Sequence, residues 1–167
     1  MDLMQFDAQE LYFQSPEVAT VEGLLKRAAA DYEQGGGEEW LLEARDRAPD
    51  SLIVMVALYR FYYYRHRLND ALAIARHTLS ITSKQLELNP DFRLLSIDHI
   101  GHAALKSMTL LRFHLLVLKA TGFLLVRLEQ IEEGKQMLRK VMEIDSCNRL
   151  GARQLLDVIE SRWRIVK

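Results

Sequence analysis

The stretch 119-KATGFLLVRLEQIEEGKQMLRKVMEIDSCN-148 decides the fold. Its apolar residues recur at helical spacing on both sides of a turn near Glu129. One helix is predicted to end at about Leu128, and a second to run from about Ile131 to Glu143. Ser146 to Asn148 makes the next break. The segment therefore reads as two consecutive helices joined by a short turn, which places them antiparallel.

The same pattern continues outward. Ser15, Pro16 and Glu17 spell a helix start: a capping hydroxyl, proline at the first helical position and an acid in the first turn. Val18, Val21, Leu24, Leu25, Ala28 and Tyr32 follow at helical spacing, and Gly35, Gly36 and Gly37 end that helix. A second helix carries Trp40, Leu41 and Ala44 and stops before Pro49. A third, capped by Asp50 or Ser51, runs through Ile53, Met55, Leu58 and Tyr62. A fourth starts near Leu68, carries Ala71, Leu72, Ala75 and Leu79, and ends by Asn89-Pro90. Residues 91–101 give a mixed signal, and a long helix is predicted from about His102 or Ala103. A last helix carries Ala152, Leu155, Leu156, Ile159 and Trp163. The expected fold is all-α, with about seven or eight helices in antiparallel pairs.

The cadence of 119–148 resembles a tetratricopeptide repeat (TPR). In that family Gly122 and Leu125 would take the small and large positions of the first helix, and Gly134 and Leu138 those of the second. The closing "EIDSCN" resembles the family's usual ending, with Ser146 where proline is common. The template also fits 51-SLIVMVALYRFYYYRHRLNDALAIA-75, with Tyr62 on the large position and Ala71 on the small one. A degenerate earlier copy ends in 39-EWLLEARDRAPDS-51. Copies begin near Val18, Leu52 and Leu115, and the first two starts are 34 residues apart, the family's repeat length. Tyr59, Leu25 and Ala75 depart from the pattern in size. The implied organisation is a segment 1–14 outside the fold and a single TPR-like helical domain over 15–167. That domain carries an insertion around 86–114 and a C-terminal capping helix. The stretches 56–75 and 155-LLDVIESR-162 further resemble small TPR proteins encoded among bacterial nitrogen-fixation genes. Separately, 10-ELYFQS-15 resembles a tobacco etch virus protease tag site lacking its asparagine, which leaves open whether it is native.

The TPR register implies a groove. In TPR domains the first helix of each pair lines the concave face, and the matching positions here are Ala19, Glu22, Lys26, Ala29 and Ala30, then Ile53, Val56, Arg60, Tyr63 and Tyr64, then Leu116, Lys119, Phe123, Val126 and Arg127. Cations interleaved with aromatic rings suit a peptide or helix with apolar anchors and acids, or a free C-terminal carboxylate. The competing reading has Tyr63 and Tyr64 packed inside the protein. Within 61-FYYYRHR-67, Tyr62 is expected in the core, Tyr59 at a tight crossing and Phe61 towards the outer edge or next repeat. Arg65, His66 and Arg67 are expected at the helix C-terminus.

No residue set announces chemistry. Asp98, His99 and His102 could approach a metal, but the single cysteine, Cys147, is far along the chain and no zinc motif is present. Cys147 beside Asp145 has no activating neighbour. The glycine run is flanked by acids that would repel phosphate. His114 reads as a satisfied core residue. Arg112 either reaches an acid such as Asp98 or emerges on a partner-facing surface. Thr109 to Val126 is apolar but contains Arg112, His114 and Lys119, which favours a buried helix over a membrane span.

The expectations are therefore a non-enzymatic adaptor, assembly factor or chaperone-like module with no catalytic residue, metal or cofactor. Its expected partner is a protein or peptide, acidic or with a free C-terminus. One cysteine and no secretory signal point to the cytoplasm. A net charge of −1 disfavours nucleic acid. Two alternatives stay open: a single-stranded nucleic-acid binder using residues 59–67, and a helical homo-oligomerisation domain.

Overall fold

The structure, a computed structural model, describes residues 17–165, with side chains described from Val21 to Ser161. Among the described residues it contains seven α-helices, one 3₁₀ helix and no strand. The helices are α1 (Glu17–Tyr32), α2 (Glu38–Arg47), α3 (Leu52–Tyr64), α4 (Leu68–Leu86), α5 (Ile97–Arg127), α6 (Ile131–Ile144) and α7 (Ala152–Ile165). Phe92–Leu94 forms the 3₁₀ turn. The all-α expectation holds. The Ser15 cap and Pro16 lie outside the described residues, as does the side chain of Trp163.

Where the sequence reading has one domain, the chain's contacts group into two compact units, one up to Thr78 and one from Leu79. In the first unit, α1 and α2 are clamped where Trp40 Nε1 donates to Asp31 Oδ2 at 2.7 Å and Arg27 covers the indole ring. Gly37, the residue before α2, has φ 99°, and a Cβ there would lie 2.6 Å from the Ala28 carbonyl oxygen. Only glycine satisfies both demands. Val54, Met55, Leu58 and Tyr59 of α3 complete this core.

In the second unit, α5 and α6 form an antiparallel hairpin about Leu128–Gln130. Leu110, Leu111, Phe113, Leu118, Leu124 and Leu125 of α5 are buried. Leu138 of α6 packs with Leu156 and Ile159 of α7. The segment Met108–Arg127 is long and apolar enough to cross a membrane, yet 78% of it is buried within the fold, so it serves as a core helix.

Two features differ from the sequence reading. First, α5 begins at Ile97, not His102 or Ala103. Ser96 accepts from the His99 N–H, and His99 Nδ1 accepts from the Ser96 N–H. This is a capping box with histidine where glutamate or glutamine is usual, which hides it in the pattern. The supposed insertion thus includes the first turns of α5, and Ser107 (φ −162°, ψ 106°) interrupts the helix instead of a loop. Ser107 Oγ accepts from the Leu110 N–H and restarts it.

Second, three helices end in the same left-handed cap without glycine. His66, Glu87 and Glu129 have φ of 57°, 57° and 65°. After each, the next N–H bonds back to the last turn: Arg67 to Tyr62, Leu88 to Ser83 and Gln130 to Leu125, all at 2.9 Å. These are Schellman caps, normally signalled by glycine at the left-handed position.

Candidate partner-binding site

The register residues of the first unit are Lys26, Arg60, Tyr63 and Tyr64. Lys26 is exposed on α1 and pairs with Glu22 at 2.7 Å, which holds the Glu22 carboxyl below its usual range. Arg60 and Tyr64 line a cleft of about 280 Å³ between α1 and α3. Its remaining walls are Leu25, Ala28, Ala29, Tyr32, Leu41, Ala57 and Phe61. Tyr64 is 45% exposed at this cleft. Tyr63 is half-buried, stacked on the buried Tyr59 with ring centroids 5.9 Å apart. Of the two neighbouring rings, Tyr64 is thus the more exposed.

Its lining combines three alanines, Ala28, Ala29 and Ala57, with the larger Leu25, Leu41 and Phe61. Tyr32 was read only as an apolar position of the first helix. It is 37% exposed and meets Phe61 edge to face at 5.9 Å. Its aromatic ring one turn beyond Ala28 was the available signal. Phe61 itself is 7% exposed and packs on Tyr32 of α1, so it lies towards the neighbouring helix pair, one of the two placements expected for it, and not at the outer edge.

The basic part of 61–67 is committed within the protein. Arg65 Nη2 donates to the Tyr32 carbonyl at the end of α1, and its guanidinium covers the Tyr32 and Phe61 rings. Arg67 bonds Glu38 at 2.6 Å and Asp70 at 2.7 Å, and covers the Tyr62 ring. Those carboxylates push its pKa upward. Tyr62 is buried as expected, and its hydroxyl donates to Glu38 at 3.1 Å. Burial and then the Glu38 carboxylate push its pKa up to about 12. The rings and cations that looked like a stacking patch hold α1, α2 and α3 together.

The second unit corrects one assignment. Lys119, expected on an open groove, is only 9% exposed. Its ammonium donates to the Leu150 carbonyl, and burial lowers its pKa while Asp145 opposes that shift. Asp145 in turn accepts from the Arg149 N–H at 3.0 Å and the Leu150 N–H at 2.7 Å. Lys119 is thus an internal strut for the loop before α7. Phe123 is half-buried and covered by the exposed Arg127 at 5.9 Å.

The other candidates are structural. His99 and His102 spend Nδ1 on the start of α5, on Ser96 and on the Asp98 carbonyl at 2.9 Å. No three His, Cys, Asp or Glu side chains converge among the described residues. Cys147 is exposed. His114 is buried, and Nδ1 lies 2.7 Å from Thr82 Oγ1, which also donates to the Leu79 carbonyl at 3.2 Å. Both bonds are satisfied when Nδ1–H donates to Thr82. Burial lowers the His114 pKa to about 4.

Close-packed helix pairs bearing an aromatic-lined cleft define an all-α protein of the helical-hairpin class. No protein-family model and no solved structure matches the chain. It is 48% identical over 162 residues to the "Uncharacterized 19.8 kDa protein in nifW 5'region" of Azotobacter chroococcum mcd 1, covering 95% of this chain and 89% of that protein. The chain belongs to the family of that nif-region protein.

Proposed function

We propose that this chain is a non-catalytic, TPR-like interaction module of the bacterial cytoplasm that binds a helix or extended segment of a partner protein. The single observation carrying this reading is the cleft between α1 and α3. Its lining includes Ala29, Arg60 and Tyr64, three positions that the TPR register assigns to the ligand-facing side. At about 280 Å³ it suits one or two apolar anchor side chains, and Arg60 lies on its wall. The backbone approach of Gly122 and Gly134 supports the TPR reading independently, because small residues belong at that helix crossing. The nif-region relative supports a nitrogen-fixation setting.

Capture from lysate of nitrogen-fixing cells tests it, comparing wild type with Tyr64→Ala and Arg60→Glu. Partners that depend on the cleft should be lost from both variants while their melting curves stay cooperative. An unchanged partner set with folded variants would remove the cleft from the function. The nucleic-acid alternative predicts salt-sensitive binding of single-stranded RNA. The internal commitments of Arg65 and Arg67 weigh against it.

A further inference from the structure

The cleft between α1 and α3 lies within reach of the residues that precede it in the chain. On α1 it is lined by Leu25, Ala28, Ala29 and Tyr32, one stripe at helical spacing. Among the described lining residues only Arg60 is charged. Counted along α1 from its start at Glu17, Leu25 lies about 12 Å away and Tyr32 about 22 Å away.

Sixteen residues precede α1, and their composition fits that lining. Leu11, Tyr12 and Phe13 stand close to the helix start, and Asp2, Asp7 and Glu10 are acids in a stretch with no Lys, Arg or His. The acids are opposite in sign to Arg60. The stretch belongs to the protein: a match over 95% of 167 residues leaves about eight unmatched, so 10-ELYFQS-15 falls inside the part shared with the nif-region relative. The residue before a proline favours extended or turn backbone, and Ser15 precedes Pro16. An extended chain covers roughly 3.3 Å per residue. Turned back at Ser15, Leu11 lies six residues ahead of Glu17 and reaches about 20 Å, the level of Ala29. Phe13 falls on the same side of an extended segment, nearer Leu25, and Tyr12 on the other.

We propose that residues 10–14 fold back along α1 and cover the α1–α3 cleft, with Leu11 and Phe13 as apolar anchors and Glu10 on the side of Arg60. A volume of about 280 Å³ suits two such side chains. Tethering favours this occupant over a free one. A segment joined by so short a linker acts at an effective concentration on the order of millimolar, so a Kd of about 1 mM already fills the cleft half the time. A partner then has to displace the segment, which makes the N-terminal stretch an internal competitor for the site. The inference rests on the reading of the cleft as a binding surface.

Limited chymotrypsin digestion of the full chain tests it, with cleavage after Tyr12 and Phe13 read by mass spectrometry. Ala29→Glu places an acid at an exposed helix position of the cleft, and Leu11→Ser removes an anchor. Wild type should be cut at least twofold more slowly than either variant, while all three keep cooperative thermal melts. In a Cys147→Ser background treated with oxidised glutathione, Leu11→Cys should form an intrachain disulfide with Ala29→Cys at least tenfold faster than with Asp46→Cys on α2. Equal cleavage of wild type and Ala29→Glu overturns the proposal, and so does a Leu11→Cys thiol with no preference for Ala29→Cys. An undocked segment beside a partner set that still depends on Tyr64 overturns this inference alone and leaves the binding cleft standing. A docked segment beside a partner set indifferent to Tyr64→Ala upholds the docking and removes the partner.

Discussion

Gly122 of α5 and Gly134 of α6 lie backbone against backbone. A Cβ on Gly134 would sit 2.6 Å from the Gly122 carbonyl oxygen, and one on Gly122 would sit 2.9 Å from that of Gly134. Neither obstacle is a side chain that can swing away. Alanine at Gly134 should therefore push the hairpin apart and lower stability by about 2 kcal/mol, even though alanine is the better helix former. Gly23, in α1 with nothing within 4 Å of its Cβ position, supplies the contrast. Gly23→Ala should raise stability by about 0.5–1 kcal/mol. Urea melts of the two variants check the pair, which must move in opposite directions.

The non-glycine caps make a second prediction. Glu129 holds φ 65° in an exposed turn. A left-handed residue with a Cβ is strained by about 1 kcal/mol relative to glycine. Glu129→Gly should stabilise the α5–α6 hairpin by roughly 0.5–1 kcal/mol, read as a higher denaturation midpoint with unchanged slope.

Acid should act through His114. Its pKa is about 4 in the fold against 6.5 ordinarily, because burial disfavours the imidazolium. Between those values the unfolded chain binds a proton that the folded chain refuses. The His114 contribution is thus whole above about pH 6.5 and lost as pH falls towards 4, by up to about 3 kcal/mol. His114→Gln keeps a hydrogen-bonding group near Thr82 and cannot titrate. Its stability should fall less steeply than that of wild type across this window in parallel pH melts.

Lys119 and Asp145 should act as one unit. Lys119 holds the Leu150 carbonyl, and Asp145 holds the Leu150 N–H. Lys119→Met retains the apolar stem but leaves that carbonyl without its donor, at a cost of about 1–3 kcal/mol. Asp145→Ala should cost a similar amount. In a double-mutant cycle the two losses should fall short of additivity, because either change alone releases the same loop.

Helix count, the α5–α6 turn and the meeting of Gly122 with Gly134 were legible because helical periodicity and small-residue positions are local signals. The start of α5 was not, because His99 does the work of a capping glutamate. The ends of α3, α4 and α5 fall close to the breaks in the apolar pattern, but their left-handed caps carry no glycine signal, because His66, Glu87 and Glu129 stand there. At the candidate site, Arg60 and Tyr64 line the cleft between α1 and α3. Tyr63 shares that register but is half-buried beside Tyr59 of its own helix, and Lys119 is buried with its ammonium on the Leu150 carbonyl.

The sequence by itself determined the all-α class, the helix pairing and the absence of a recognisable catalytic motif, since each rests on residue spacing along the chain. Only the tertiary structure decided which rings and cations remain available. Arg65 and Arg67 look free in "FYYYRHR", yet their partners Tyr32, Glu38 and Asp70 lie partly on other helices. A side chain's availability depends on what packs against it, and that is a property of distant residues brought together by folding.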